Sequence, residues 1–199
     1  MTATDAKNRI YTKANRGPYV DIAAPGVDVL VADGSGDIQL RSGTSYGAAT
    51  WPHYGQSSPP AGTFTQVSAG YWHTCGINSS GEVECWGLNT EGQSTPPSGT
   101  FTEVSADSNH TCGINSSSGV ECWGRGNCDD PDGPEGFGHG EACPPAGTFT
   151  QASAGERHTC AINSSGTVEC WGRDDFGQST PSSGTFTAVA SGYSHICGI

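Results

Sequence analysis

A sequence pattern that recurs four times constrains the fold of this chain more than any other feature does. Each copy begins with Gly-Thr-Phe-Thr, and a histidine follows eleven residues after the first glycine. The copies begin at Gly62, Gly99, Gly147 and Gly184, so their spacings are 37, 48 and 37 residues. The four histidines are His73, His110, His158 and His195. A period in this range indicates a repeat architecture, in which each unit packs against its neighbours.

Each unit is predicted to fold as β-strands. The first unit contains three apolar-rich segments separated by turn residues, which is typical of strands. These segments are Phe64–Ala69, His73–Ile77 and Val83–Trp86. The second and third segments flank an Asn-Ser-Ser-Gly turn, which predicts a hairpin with Gly81 in the left-handed conformation. In that register Cys75 faces Cys85.

All nine cysteines lie beyond residue 50, and most of them fit this hairpin register. A pair ten residues apart occurs in each of three units, and directly opposed cysteines are within bridging distance. A fourth pair falls at the eleven extra residues of the second unit. The expected disulfides are Cys75–Cys85, Cys112–Cys122, Cys160–Cys170 and Cys128–Cys143, with Cys197 left over. Zinc is the alternative, but the close Cys-x2-Cys spacing of a zinc site is missing.

The composition of the chain changes near residue 50. Residues 1–50 carry five Lys or Arg and five Asp, whereas residues 51–199 carry three Arg, fifteen Asp or Glu and all six His. We therefore predict a domain boundary near Thr50–Pro60. The repeat units then lie near 62–98, 99–146, 147–183 and, in part, 184–199.

Charge and hydropathy exclude two classes of function. The net charge is −12, whereas a protein that binds nucleic acid needs a basic face. No apolar run reaches the roughly 20 residues of a membrane helix. The first ten residues lack the apolar core of a signal peptide, although the disulfides indicate an oxidising compartment. A fragment of a longer exported protein would reconcile these two observations.

The repeat is recognisable from its motif. His-Thr-Cys-Gly-Ile-Asn-Ser-Ser-Gly-Glu-Val-Glu-Cys-Trp-Gly at 73–87, followed by Gly-Gln-Ser-Thr at 92–95, resembles the regulator-of-chromosome-condensation repeat in the short form of exported bacterial proteins. The resemblance implies a mainly β fold, a β-propeller usually built of seven blades, of which this chain supplies about three and a half. The repeat histidines and tryptophans are then expected to pack the blades.

A second resemblance covers the first 50 residues. Ala-Ala-Pro-Gly-Val at 23–27 and Ser-Gly-Thr-Ser-Tyr at 42–46 resemble the end of a subtilase, a subtilisin-like serine protease with an α/β fold. The resemblance implies that Ser45 is the catalytic nucleophile. No histidine precedes Ser45, so the general base of that family is missing and the chain is expected to be inactive. Strand-like segments lie at Val20–Ala24, Val27–Ala32 and Ile38–Arg41.

The insertion in the second unit is acidic. Carboxylates on a disulfide-closed loop are a ligand type that calcium takes. The insertion does not match the twelve-residue calcium loop, and a solvated acidic loop is the preferred interpretation. No metal or other cofactor is therefore expected. The calcium candidates of the alternative interpretation are Asp129, Asp130, Asp132 and Glu135, with Glu141 nearby.

Two functions of different classes follow. The first is a secreted or cell-surface interaction module of bacterial origin, whose propeller loops bind a protein or a glycan. The alternative is a fragment of a secreted subtilisin-like serine endopeptidase that acts through Ser45. An arc of three and a half blades leaves apolar sheet faces and a final strand open. Self-association is therefore also expected, with Cys197 available for an intermolecular disulfide.

Overall fold

A computed structural model describes residues 54–56, 58–129 and 138–199, together with the backbone of two short strands nearer the N-terminus. The regular structure of these residues is β. The strands are β1 (Val29–Ala32), β2 (Ile38–Arg41), β3 (Phe64–Ala69), β4 (His73–Asn78), β5 (Val83–Gly87), β6 (Phe101–Asp107), β7 (His110–Asn115), β8 (Val120–Gly124), β9 (Phe149–Ala154), β10 (His158–Asn163), β11 (Val168–Gly172), β12 (Val189–Ser191) and β13 (Ile196–Gly198). Among the residues described, none forms a helix with the length and hydrophobicity needed to cross a membrane.

The repeats form a series of antiparallel sheets, one for each unit. Blade 1 (β3–β5), blade 2 (β6–β8) and blade 3 (β9–β11) each have three strands with the second strand in the centre, and partial blade 4 contains β12 and β13. Successive blades pack against one another through β3, β6, β9 and β12. In blade 1 the strands begin where the sequence predicts and end within one residue of the predicted ends.

The Asn-Ser-Ser-Gly turns set the register of the hairpins. In blade 1 the Asn78 N–H donates to the Glu82 carbonyl over 2.9 Å. The Asn78 Oδ1 accepts hydrogen bonds from the N–H groups of Ser80 and Glu82 at 2.9 and 3.0 Å. Gly81 has a φ of +84°, the left-handed conformation that glycine adopts without steric cost. The turn therefore has the predicted form.

The cysteines pair as this register predicts. The Sγ atoms of each pair are 2.07 to 2.12 Å apart. The pairs are Cys75–Cys85, Cys112–Cys122, Cys160–Cys170 and Cys128–Cys143. The first three connect directly opposed residues of a hairpin, and the fourth closes the insertion. Cys197 has a free and exposed thiol.

The apolar core lies between the blades rather than within them. Ile77 and Val83 of blade 1 pack with Phe101, Val104 and Trp123 of blade 2. The same kind of cluster joins blade 2 to blade 3 and blade 3 to partial blade 4. Each unit therefore depends on its neighbour to bury its apolar side chains, as expected of a repeat protein.

Glutamine side chains also form hydrogen bonds between successive blades. Gln66 in β3 reaches Val104 in β6, where its Nε2 donates to the Val104 carbonyl over 3.1 Å and its Oε1 accepts from the Val104 N–H over 2.9 Å. Gln151 in β9 accepts from the Val189 N–H of β12 over 2.7 Å. The glutamine that follows Gly-Thr-Phe-Thr therefore bonds the backbone of the next blade.

The structure describes the N-terminal segment only in part. Strands β1 and β2 pair antiparallel, with Leu30 opposite Leu40, and lie within two of the predicted strand segments. Val20–Ala24, Ser45 and part of the predicted boundary region fall outside the described residues. The boundary near Thr50–Pro60 and the subtilase-like α/β fold of residues 1–50 therefore stay predictions.

Candidate interaction face

The topology brings two sets of loops to one end of the sheets. In each blade the chain turns at this end between the first and second strands, and it leaves from the same end after the third strand. We call this end the loop face. The Asn-Ser-Ser-Gly turns form the opposite end, which we call the turn face. The described residues of the loop face are 54–56, 70–72, 88–93, 107–109, 125–129, 138–143, 155–157, 173–178 and 192–194.

The exposed aromatic side chains of the described residues all lie on the loop face. They are Tyr54, Tyr71, Trp72, Phe176 and Tyr193. Their exposed fractions run from 38% for Trp72 to 69% for Phe176. The rings of Tyr54 and Trp72 meet edge to face, with centroids 5.9 Å apart. Tyrosine and tryptophan are the residue types that contribute most often to binding hot spots.

A buried polar network supports these loops. The Gln56 carbonyl accepts hydrogen bonds from the Thr74 hydroxyl at 3.0 Å and from the Trp86 Nε1 at 2.9 Å. The loop that precedes blade 1 therefore completes that blade. In blade 2 the Gln93 carbonyl accepts hydrogen bonds from the Thr111 hydroxyl and the Trp123 Nε1. In blade 3 the Glu141 carbonyl accepts from the Thr159 hydroxyl and the Trp171 Nε1.

Three repeat histidines lie buried beneath the loop face, and two of them link successive blades. The Nε2 atoms of His73 and His110 lie 2.8 Å from the hydroxyls of Thr111 and Thr159 respectively. Each threonine hydroxyl donates to a carbonyl of the loop network, so it accepts the hydrogen bond and the imidazole Nε2 carries the proton. Burial lowers the pKa of His73 to about 4 and that of His110 to about 3. His73 and His110 therefore connect successive blades as neutral imidazoles, in agreement with the packing role expected of the repeat histidines, whereas His195 of partial blade 4 is exposed.

The insertion in blade 2 follows the repeat plan in an altered form. Glu141 takes the place that Gln93 has in the preceding unit, and it is fully buried. Arg125 Nε donates to Glu141 Oε1 over 3.0 Å, and the His139 N–H donates to Glu141 Oε2 over 2.6 Å. The role of Glu141 is visible in the sequence when Gly-Glu-Ala-Cys-Pro-Pro is aligned with the Gly-Gln-Ser-Thr-Pro-Pro of the first unit. Glu141 is thus a buried structural residue and not part of a solvated acidic loop.

The loop face also carries the three arginines of the repeat region, each beside a carboxylate. Arg173 Nε lies 2.6 Å from Asp175 Oδ2, and its guanidinium lies 5.5 Å from the ring centroid of Phe176. Arg157 Nε lies 3.4 Å from Glu156, and the Arg125 pair is the buried one described above. The positive charge of the repeats is therefore confined to the face that carries the exposed aromatic rings.

Hydrogen bonds made by side chains within the loops fix the conformation of these loops. After β11, Asp174 accepts hydrogen bonds from the Ser179 N–H and the Thr180 hydroxyl, both at 2.7 Å. These bonds lower the pKa of the Asp174 carboxyl. Asn89 has the same role after β5, where its Oδ1 accepts from the Ser94 N–H over 2.9 Å. A loop ordered in this way loses less conformational entropy when a partner binds.

Several predicted site residues fall outside the described part of the chain: Ser45, Asp130, Asp132 and Glu135. Asp129 is exposed, and its N–H donates to Asn127 Oδ1. Within residues 54–56, 58–129 and 138–199, no group of three or more His, Cys, Asp or Glu side chains is placed to hold a metal ion. A calcium site in the insertion and a nucleophile at Ser45 stay predictions.

Comparison with protein families identifies the repeat. Residues 64–93 and 149–178 each match the regulator of chromosome condensation (RCC1) repeat. The chain carries RCC1-type repeats. Each matched segment begins at the first strand of a blade and ends at a loop-face glutamine, Gln93 or Gln178. No curated protein matches the chain.

Solved structures that resemble the chain have a β-propeller fold. The CRINKLY WD40 ectodomain of the Arabidopsis thaliana receptor kinase ACR4 is 26% identical, with a TM-score of 0.54, over 69% of this chain and 46% of that one. Prp20p from Saccharomyces cerevisiae is 15% identical, with a TM-score of 0.62, over 97% of this chain and 59% of that one. Human WBSCR16 is 17% identical, with a TM-score of 0.62, over 100% of this chain and 64% of that one. This chain therefore spans between 46% and 64% of the length of these structures.

Proposed function

We propose that the RCC1-type repeats form a secreted or cell-surface interaction module that binds a protein through its loop face. The observation that carries this proposal is the gathering of exposed aromatic rings at one end of the blades. Tyr54, Tyr71 and Trp72 lie together beside blade 1, with Phe176 and Tyr193 on the same face. Exposed aromatic groups beside charged residues are typical of binding surfaces.

The similar structures support a binding role. Prp20p was studied for its binding to Gsp1p and histones, and yeast RCC1 was solved bound to Kap60. The ACR4 domain is the ectodomain of a receptor kinase. Those partners belong to those proteins, and the proposal adopts only the principle that this fold binds other proteins. The four cysteine pairs favour an oxidising compartment and hence an exported protein. A glycan is the alternative ligand.

The test compares three immobilised proteins. They are the unmodified chain, a loop-face variant with Tyr71→Ala and Trp72→Ala, and a turn-face control with Ser79→Ala and Glu82→Ala. Each is exposed to secreted and surface proteins of the source cells, and the retained proteins are quantified by mass spectrometry. We expect proteins that bind the unmodified chain and the control but not the loop-face variant. Identical binding to all three, or loss only in the turn-face control, would contradict the proposal.

The same three proteins separate a protein ligand from a glycan. They are applied to an array of extracellular glycans alongside the protein capture. Binding to defined glycans that is lost in the loop-face variant, without protein capture, would favour the glycan alternative. Circular dichroism and thermal unfolding check that the exposed substitutions leave the fold intact. We expect unchanged spectra, because Tyr71 and Trp72 are both exposed.

The protease alternative rests on Ser45 and its flanking motif. A serine without its histidine base is not activated as a nucleophile, so a fluorophosphonate probe should label Ser45 no faster than surface serines. Rapid labelling that is lost in the Ser45→Ala variant would favour the endopeptidase instead.

Self-association through open sheet faces belongs to the same proposal as a second kind of protein contact. Light scattering over a range of concentrations, with and without reductant, measures it directly. We expect a mass that rises with concentration, because the outer faces of blade 1 and partial blade 4 have no further blade among the described residues to cover them. A constant monomer mass would contradict this expectation.

A further inference from the structure

We propose that the protein partner of the loop face is basic, and that its Arg or Lys side chains bind on the exposed aromatic rings beside blade 1. This inference rests on the binding role proposed above and adds the chemical character of the partner. We call the rings of Tyr54, Tyr71 and Trp72 the aromatic patch. The three side chains are 50%, 52% and 38% exposed, so the side chains of a partner can reach them.

The loop face is acidic where the structure describes it. Its described ranges contain seven Asp or Glu, three Arg and no Lys. Each of the three arginines already lies beside a carboxylate, so the face as a whole has a net negative charge. Such a face attracts a positively charged partner and speeds its association. The acidic residues are Glu91, Asp107, Asp129, Glu141, Glu156, Asp174 and Asp175.

Two of these carboxylates belong to loops that adjoin the aromatic patch. The Tyr71 N–H donates over 3.3 Å to the carbonyl of the residue that follows Asp107. The Trp72 carbonyl accepts a hydrogen bond over 2.7 Å from the first residue of the 88–93 loop, which carries Glu91. Acidic loops therefore lie directly beside both rings.

The arginine that approaches these loops is buried and neutralised. One terminal nitrogen of Arg125 lies 3.5 Å from Ser108 Oγ. The residue is only 9% exposed, and its Nε donates to the buried Glu141 carboxylate over 3.0 Å. Arg125 and Glu141 together carry no net charge, so the negative charge of the surrounding loops determines which partner the patch attracts.

The aromatic rings suit a cation. The face of a Trp or Tyr ring attracts an ammonium or guanidinium group within about 6 Å of its centroid. The rings of Tyr54 and Trp72 have centroids 5.9 Å apart and planes inclined at 72°, so a cation in the corner between them contacts both faces. A contact of this type already exists on the loop face, where the Arg173 guanidinium lies 5.5 Å from the Phe176 ring centroid.

The turn face is acidic as well, but it differs in two respects. The exposed aromatic side chains of the described residues lie on the loop face instead. In each complete blade, a turn-face asparagine donates from Nδ2 to a glutamate carboxylate over 2.6 to 2.9 Å. The turn face therefore offers charge without rings and serves as the control surface. The pairs are Asn78–Glu84, Asn115–Glu121 and Asn163–Glu169.

The test measures binding of the fluorescein-labelled peptide Gly-Arg-Gly-Arg-Gly-Arg-Gly to the full chain by fluorescence polarisation. A matched control peptide has citrulline in place of each arginine, which keeps the size of the side chain but removes its charge. We expect the arginine peptide to bind about tenfold more tightly than the citrulline peptide. Raising NaCl from about 50 to about 300 mM should weaken the arginine peptide severalfold, because salt screens exposed charges.

Two loop-face variants separate the contribution of the rings from that of the charges. Tyr71→Ala with Trp72→Ala should weaken binding of the arginine peptide about tenfold, because it removes two ring faces. Glu91→Gln with Asp107→Asn keeps polar side chains of the same shape and removes two charges, which should weaken binding about threefold.

A turn-face variant with Glu84→Gln and Glu169→Gln also removes two charges and should bind the arginine peptide within about twofold of the unmodified chain. Loss of binding in this variant alone would assign the basic ligand to the turn face and overturn the inference. Equal affinity for the two peptides, or no binding of either at about 1 mM, would overturn it as well. Protein capture that still depends on Tyr71 and Trp72 would then leave the binding role of the loop face standing, whereas capture independent of both would contradict that role itself.

Discussion

One turn residue of blade 2 differs from its counterparts in the other repeats and has a strained backbone conformation. The turn of blade 2 reads Asn-Ser-Ser-Ser-Gly, and Ser118 has a φ of +65° where Gly81 and Gly166 have +84°. A side chain in the left-handed region is unfavourable because its Cβ approaches the backbone. Ser118 therefore carries a conformational cost that the glycines of blades 1 and 3 do not.

The variant Ser118→Gly is expected to raise the free energy of unfolding by about 0.5–1 kcal/mol, the relief of strain less the extra entropy of an unfolded glycine. Urea denaturation of the two proteins measures this difference. Ser117→Gly is the matched control and should be neutral or destabilising, because Ser117 does not have a positive φ. Equal stabilisation by both substitutions would count against the strain argument.

The buried histidines predict a fold that loses stability in acid. The pKa of His73 is lowered from 6.5 to about 4 and that of His110 to about 3, because burial disfavours the charged imidazole. The folded state thus binds fewer protons than the unfolded state below pH 6.5. The contribution of these two histidines to the free energy of unfolding should therefore be largest above pH 6.5 and should fall as the pH drops from 6.5 towards 4.

Denaturation at several pH values from 4 to 8 measures this dependence. The variant His73→Gln keeps an N–H donor for Thr111 but does not titrate, so its profile should be shallower than that of the unmodified chain. Parallel profiles would show that the histidines do not cause the loss.

Local chemistry explains why some residue-scale features were predictable. Gly81 and the Cys75–Cys85 pair follow from turn preference and hairpin register, which involve only neighbouring residues. The bond from His73 to Thr111 joins residues 38 positions apart, and its geometry depends on how two blades pack. The Gln56 carbonyl is a backbone group, so the identity of residue 56 does not reveal that this carbonyl accepts hydrogen bonds from blade 1.

At the scale of strands and blades, one contact differs from the others. Gln66 both donates to and accepts from the backbone of the next blade. Between blades 2 and 3 the residue that corresponds to Gln66 is Glu103, whose carboxylate accepts a hydrogen bond from the Ala152 N–H. Burial raises the pKa of the Glu103 carboxyl from 4.5 to about 7. When ionised, Glu103 has no proton to donate.

The variant Glu103→Gln should stabilise the protein above pH 7 by about 1 kcal/mol, because its amide supplies the missing donor. The folded pKa of Glu103 lies above the unfolded value of 4.5, so the contribution of Glu103 to the free energy of unfolding decreases as the pH rises from 4.5 through 7. The advantage of the variant should therefore shrink below pH 5. Gln66→Glu is the matched control and should introduce the same pH dependence between blades 1 and 2. A difference that does not vary with pH would contradict this account.

The strands were predictable as elements, but their assembly into a binding face was not. Short apolar segments between turn residues gave β3, β4 and β5 almost to the residue. That Tyr54 lies beside Trp72 depends on the loop before blade 1 closing onto that blade. Glu141 lies in the insertion with other acidic residues, so its structural role was not predicted. Alignment of the flanking glycine and prolines nevertheless places Glu141 with Gln93.

At the scale of the whole molecule, RCC1-type units stand side by side and share their cores. Apolar residues of adjacent blades form each cluster, and the loop after each third strand completes the blade that follows. The hairpin disulfides stay within single units, while the histidine and glutamine bonds cross between units. Disulfides therefore fix the register inside a blade, and hydrogen bonds fix the order of the blades.

Peptide mapping without reduction, after free thiols are blocked by alkylation, tests this architecture most directly. The account predicts four linked pairs, Cys75–Cys85, Cys112–Cys122, Cys160–Cys170 and Cys128–Cys143, with the alkyl group on Cys197 alone. Disulfides between cysteines of different blades, or alkylation of Cys75 and Cys85 in protein isolated under oxidising conditions, would contradict it.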